Sequence, residues 1–311
     1  MFTIVDFQDF VEQQLHHNRN KSLFYEGANG RVLLSPSKES KYIFNYVARD
    51  ISYFLQSAYS NGTIRQLITY ISDKTIKLFI EANQYLDFSF QDKFQLQKIY
   101  SKLMERVFTL SKQIEMTDAE IDELFYAHYK SLQLFLLHSN GSAICYKYKE
   151  KPHVFDVKCA EYSPEFQMEL LNIELSTIKE PVLDIGCGKQ ANLVHYLKKN
   201  GVEAYGMDRD VQTTNDVGKM NWLESSFVPN AWGTIISHMA FSNHFKHHHL
   251  RADGNVEKYA KTYMNILHSL KREGRFIYAP SLSFMEDVLI SSTDGYHVET
   301  NELCTQVMRV F

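Results

Sequence analysis

The chain is poor in the residues that staple or interrupt a fold. Its 311 residues include four cysteines (Cys145, Cys159, Cys187, Cys304) with no CxxC spacing, which indicates neither a zinc site nor a disulfide framework. Six prolines and thirteen glycines are too few for a linker-rich or collagen-like chain. No apolar run approaches the length of a membrane span, and no membrane partner is expected. Neither sign of charge dominates: 33 Lys and Arg against 37 Asp and Glu leave a net charge of -4, with no global pull toward nucleic acid. The basic piece YKYKEK at 146–151 contains an acid and reads as solvated surface. The opening MFTIVDFQDFVEQQL has no basic n-region and carries acids within its first ten residues. A signal peptide is therefore not expected, and the cytoplasm is the expected compartment.

What is present is apolar material enough for two domains, at 44% hydrophobic residues. Residues 1–150 read as a mainly helical domain. Between 45 and 86 the apolar residues recur at three- and four-residue steps, interrupted at Ser60-Asn61-Gly62. Residues 92–114 form an amphipathic pattern with Leu96, Ile99, Tyr100, Leu103 and Val107 on one face. Thr117 followed by Glu120 is a capping-box pattern. GANGRVLLSP near residue 30 reads as a turn followed by a short strand or extended segment, and the many Tyr and Phe residues read chiefly as core. Residues 138–158, with Pro152, read as the join.

Residues 151–311 alternate strand and helix: helix 163–178, strand 181–186, helix 190–200, strand 203–208, a short helix after Val211, and a short strand before Asn221. Strand 232–239, helix 255–273 and strand 274–280 follow, and an antiparallel pair, 296–300 with 305–311, closes the pattern. The expected fold class is α/β, a seven-stranded, mostly parallel, doubly wound sheet preceded by the helical domain.

VLDIGCGKQANL (182–193) carries Gly186-x-Gly188-x-x-Ala191, a glycine turn that fits either a dinucleotide or S-adenosylmethionine (SAM). Asp184 separates the two. Beside a pyrophosphate its carboxylate would be repulsive; beside the ammonium and sulfonium of SAM it is favourable. Asp208, at the end of the next strand, can accept ribose hydroxyls from either cofactor. The amide oxygen of Asn221 can accept from an adenine amino group while the next backbone N–H donates to a ring nitrogen.

In order and spacing, VLDIGCG, YGMDRD, NWLESSFVPNAWGTIIS and LKREGRFIYAP resemble the class I (Rossmann-like) SAM-dependent methyltransferases, over about residues 160–311. The resemblance implies that Asp184, Gly186 and Gly188 line the methionine and ribose part of SAM, with the small Cys187 inside the same turn. It implies that Asp208 holds the ribose hydroxyls, Arg209 flanks the adenine, Asn221 and Trp222 read the adenine edge, and Ser237 and His238 stand beside the methyl group. Two departures are Asn221, where the family often has Asp, and Gly233, where an Asp is common.

Methyl transfer from a sulfonium is an in-line displacement, so alignment and removal of one proton are the enzyme's tasks. His238, where strand 232–239 ends, and His244 are the candidate bases; a bond from His238 to a strand-end carbonyl is an equally weighted reading. HFKHHHLRADG (244–254) matches no zinc spacing, so no metal is expected, and it reads as a polar loop over the pocket. Tyr278 and Ser281 either line an acceptor pocket or pack. The helical domain is expected to be a substrate-selecting cap, with a homodimer surface as a further role. The activity expected is methylation of a small molecule at oxygen or nitrogen, with S-adenosylhomocysteine (SAH) as product. SHMA stands where base N-methyltransferases carry an NPPY-type segment. The competing readings are a peptide or protein acceptor docked on the N-terminal domain, a SAM-binding regulatory protein without turnover, and transfer of another part of SAM.

Overall fold

Polar side chains begin most of the helices that fill the first part of the chain, and in a computed structural model they do so as the sequence pattern requires. The structure describes residues 2–27, 30–113, 116–142, 149, 162–292, 295–301 and 303–311. It divides into two units, Met1–Lys158 and Cys159–Phe311.

In the first unit the helices are α1 (Ile4–His17), α2 (Lys38–Tyr46), α3 (Ala48–Asn61), α4 (Ile64–Ala82), α5 (Phe90–Leu110) and α6 (Asp118–Asn140). Reciprocal capping boxes, Thr3 with Asp6, Ser89 with Asp92 and Thr117 with Glu120, begin α1, α5 and α6, so orphan N–H groups find acceptors before the chain leaves the helix start. α3 ends where Gly62 takes a left-handed φ of 81°, a conformation open to glycine without Cβ strain. α5 buries Leu96, Tyr100, Met104 and Val107, the i, i+4, i+8, i+11 face of a core-facing helix. The extended segment read near residue 30 is an isolated bridge between Glu26 and Val32. Most of the join read over 138–158, with Pro152, lies outside the described residues.

In the second unit the strands are β1 (Val182–Ile185), β2 (Ala204–Asp208), β3 (Val217–Lys219), β4 (Trp232–His238), β5 (Leu270–Ala279), β6 (Tyr296–Thr300) and β7 (Thr305–Arg309). They form one sheet in the order β3-β2-β1-β4-β5-β7-β6. The pairings from β3 through β5 are parallel, and β7 pairs antiparallel with both β5 and β6. The sheet is therefore mixed, where the sequence pattern suggested a mostly parallel one.

The helices of this unit are α7 (Pro164–Leu170), α8 (Asn192–Lys199), α9 (Phe241–His249), α10 (Val256–Ser269) and α11 (Ser283–Ser292). Strand alternation sorts the core into two layers. Leu183, Ile185, Ile235, Phe276 and Tyr278 pack with Phe241, Phe245, Tyr259 and Tyr263 of α9 and α10. Val182, Ala204, Ile236 and Ile277 pack with Met168 of α7 and with Leu193, Val194 and Leu197 of α8. Burying each such large side chain stabilises the unit by about 1.5–3 kcal/mol before the entropy of ordering it is subtracted.

Three local expectations change. The helix read over 163–178 is α7 followed by a short 3-10 turn, Leu175–Thr177. No helix follows Val211, because Thr214 Oγ1 accepts from the amides of Asp216 and Val217, and Thr213 Oγ1 from Lys219; side chains that capture nearby amides hold the chain in a turn. The helix read to residue 273 stops at Ser269, and β5 begins at Leu270, with a register shift opposite Trp232 to Thr234. At Gly233 an added Cβ would lie 2.3 Å from the Lys179 carbonyl oxygen. The glycine found in place of the common acid is thus required by close backbone approach. Among the described residues no helix is long and apolar enough to cross a membrane.

Candidate functional site

The strand order reverses between β1 and β4, so the crevice at their carboxyl ends is the switch point at which open α/β sheets place ligands. The glycine turn begins there. Gly186 and Gly188 have φ values of 79° and 74°, and Ala191 follows at 47°. A Cβ on Gly186 would meet Ala240 Cβ at 2.3 Å and the Trp222 ring at 3.2 Å. Backbone conformation and space therefore both require glycine at 186.

Asp184 lies in β1 opposite Gly206 of β2 and Ile236 of β4. Only 2% of it is exposed. Burial, reinforced by the nearby charge of Asp208, raises its carboxyl to about 7. A group in this state gains from a cation placed beside it, which favours the ionised form. Asp208 closes β2. Its Oδ2 accepts from the Gly188 amide at 3.2 Å and its Oδ1 from the Asp210 amide at 2.9 Å. A carboxylate has about four acceptor positions, so two remain for a ligand's hydroxyl donors. Cys187 is half-buried, with its Sγ beside the space over Gly206, where an added Cβ would meet it at 2.9 Å. It fills the turn.

Other residues of the sequence-derived set are engaged in the fold. Ser237 is fully buried; its hydroxyl donates to the Ile185 carbonyl at 3.0 Å and accepts from the Phe241 amide at 3.0 Å. One side chain thus ties the end of β4 to the end of β1 and starts α9. Asn221 Oδ1 accepts from the Leu223 amide at 2.9 Å, closing its own turn. Trp222 is 8% exposed and packs edge-on against His244, with ring centres 5.2 Å apart. Arg209 is half-buried, and its charge acts on His244.

The two candidate bases differ. His238, at the end of β4, meets the rings of Tyr162 and Phe166 edge-on at 4.9 and 6.1 Å. Burial lowers its pKa, so the imidazole is neutral near pH 7, and Nε2 has no hydrogen-bond partner among the described residues. His244 sits inside α9, only 5% exposed. Burial first, then the charges of Arg209, His248 and His247, holds it well below its ordinary value. It is a core residue, and the geometry does not support it as a base.

The sequence 244–254 is likewise no polar loop at its start. α9 runs through His249, with His248 stacked on Tyr259 at 4.7 Å and His249 on Phe284 at 3.7 Å. No group of three potential metal ligands occurs among the described residues. Tyr278 packs: it is fully buried, and its hydroxyl lies 3.0 Å from Tyr263 Oη and donates to Glu286 Oε1 at 3.0 Å. Ser281 Oγ accepts from Thr305 at 2.9 Å. Sequence reasoning did not single out Tyr162 and Phe166, which stack on each other at 5.3 Å. Their i, i+4 spacing across Ser163, the N-cap of α7, was the available signal.

No family model matches the chain, and no curated protein matches it. Solved structures do. An S-adenosylmethionine-dependent methyltransferase of Listeria monocytogenes is 12% identical, with 44% of this chain aligned to 96% of that one and a TM-score of 0.30. One from Mesorhizobium loti is 11% identical over 43% of this chain and 95% of its own, with a TM-score of 0.33. The plantazolicin methyltransferase BpumL, solved with SAH, is 14% identical over 48% of this chain and 82% of its own, also at 0.33.

Proposed function

We propose that residues 159–311 bind SAM at the carboxyl ends of β1, β2 and β4, and that the protein transfers its methyl group to oxygen or nitrogen of a small molecule. The observation that carries this reading is Asp184, a buried carboxyl raised to about 7 beside a glycine turn. A pyrophosphate would deepen that penalty, whereas a ligand with ammonium and sulfonium charges relieves it.

The residues present fit such a ligand. Asp184 would face its positive end, the 186–188 turn would let its backbone approach, and Asp208 would take the ribose hydroxyls on its remaining acceptor positions. Asn221 and Trp222, held in their turn and in the core, would give the adenine backbone groups and a wall. SAM supplies an already activated methyl group. What is left to this chain is to orient the acceptor, exclude water and remove one proton. His238 Nε2 is the acceptor for that proton, kept neutral by burial and flanked by Tyr162 and Phe166. A net charge of -4 favours a small-molecule acceptor over a nucleic acid.

The test is calorimetric titration of the purified protein with SAM, SAH and NADH, with Asp184→Asn alongside. Micromolar binding of SAM and SAH that the substitution weakens, with none for NADH, supports the reading. Binding of NADH alone overturns it.

A further inference from the structure

The helical unit holds a cavity of about 190 Å³ bordered by residues from all six of its helices. Native cores keep few voids larger than a water molecule, and an aliphatic and aromatic cavity of about 150 Å³ in another protein stays dry and binds benzene. The wall here is mostly of that kind, with Phe7, Leu55, Met104 and Leu132 among its residues. A water needs two to four polar partners, and the polar groups of the wall are largely spent on one another, apart from Asn83 Nδ2, a buried donor with no hydrogen-bond partner among the described residues. Gln14 and Asn18 donate to Tyr129 Oη at 3.1 and 2.8 Å, and Thr75 and Tyr100 hydroxyls lie 2.6 Å apart. At the border Arg19 pairs with Glu81, and the Lys21 ammonium donates to Asn18 Oδ1 at 3.3 Å.

His128 is the acceptor left open. It lines the cavity, is 7% exposed, and lies against the rings of Tyr100 and Tyr129 at 4.9 and 5.9 Å. Burial, with the charge of Arg106 behind it, pushes its pKa down to about 3. A neutral imidazole keeps one nitrogen as an acceptor, and no hydrogen bond to a described residue uses it.

We propose that this cavity is a binding site for a small neutral aromatic molecule bearing one hydroxyl, of phenol or cresol size, whose hydroxyl donates to the His128 ring. Roughly seven to nine non-hydrogen atoms suit a cavity somewhat larger than one that takes benzene. A carboxylate would have to leave water for a cavity whose open polar groups, the His128 ring and the Asn83 amide, are both uncharged. The site is independent of the SAM reading, because it lies within the helical unit.

Calorimetric titration of the full chain with p-cresol, p-xylene and 4-methylbenzoate tests it, since the three differ only in one para substituent. Saturable one-site binding of p-cresol and p-xylene, and none of 4-methylbenzoate, is expected. In His128→Leu the p-cresol affinity should fall at least fivefold while p-xylene stays within twofold, because the hydroxyl is left unpaired. His128→Gln, which keeps an acceptor, should keep most of the p-cresol affinity. Failure of both neutral compounds to bind the wild-type protein overturns the proposal. So does tighter binding of 4-methylbenzoate, or an unchanged p-cresol to p-xylene ratio in His128→Leu.

Discussion

Gly188 donates its backbone N–H to Asp208 Oδ2 at 3.2 Å, so the carboxylate that ends β2 also holds the turn that follows β1. A ligand's hydroxyls would meet an acid already fixed in place. Asp184, one strand away, has no such support among the described residues, and its charge state is therefore the variable one.

Ligand affinity should follow that charge. With Asp184 at about 7, the ionised fraction falls about tenfold for each pH unit well below 7. SAH affinity measured by calorimetry between pH 8 and 6 should decline accordingly, and Asp184→Asn should be weaker and flat over the same range.

The same group makes the unliganded fold prefer acid. A carboxyl raised from 3.8 to about 7 holds its proton in the folded state where the unfolded chain has lost it. Stability therefore falls as pH rises from about 4 through 7. Without ligand, Asp184→Asn should melt above the wild type at pH 8, and the gap should shrink toward pH 5 in a thermal scan.

Gly186→Ala combines a positive φ with a Cβ placed 2.3 Å from Ala240 Cβ. Gly201→Ala has a φ of 83° with nothing within 4 Å of its Cβ. The second should cost about 1–2 kcal/mol from backbone strain alone. The first should cost more, by about the 1–3 kcal/mol typical of overpacking, and should abolish SAH binding. Melting and titration of the two variants together check both statements.

Ser237→Ala removes the donor to Ile185 and the acceptor for Phe241 at a fully buried position. The cost should be about 1–3 kcal/mol, read as a lower melting temperature. Ser237→Gly should fare no better, since it also lacks the hydroxyl.

His238→Gln should lower turnover roughly 10²-fold or more, as loss of a positioned base does, with SAH affinity within a factor of about two. His244→Gln should shift the melting temperature and leave the acid limb of the rate profile unchanged, because His244 is packed against Trp222. SAH release over a panel of hydroxyl and amine acceptors supplies the rate. Retention of full turnover by His238→Gln would sink the base assignment.

The parts legible in the sequence were those fixed by local chemistry. The Thr117–Glu120 cap, the break at Gly62 and the glycine turn each depend on residues within a few positions of one another. α9 was hidden because Phe241 to His249 has mediocre helix propensity. Its inward face is made by Tyr259, Tyr263 and Phe284 from later elements. Ser237 lies near the end of β4 and Asn221 just after β3, as the sequence reading had them, but their hydrogen bonds to Ile185 and Leu223 could not be read from spacing. The His128 cavity was out of reach for the same reason: its walls come from helices more than a hundred residues apart.

The place of β7 has a consequence for how the sheet is completed. β7 follows β6 in the chain, yet it lies between β5 and β6. Among the described residues β6 pairs only with β7, and β5 offers an open edge of the same sheet until β7 docks there. An exposed edge beside a waiting strand invites the wrong pairing. Pairing of β7 with β5 is what closes that edge against β6, so β6, though earlier in the chain, joins the sheet only through β7.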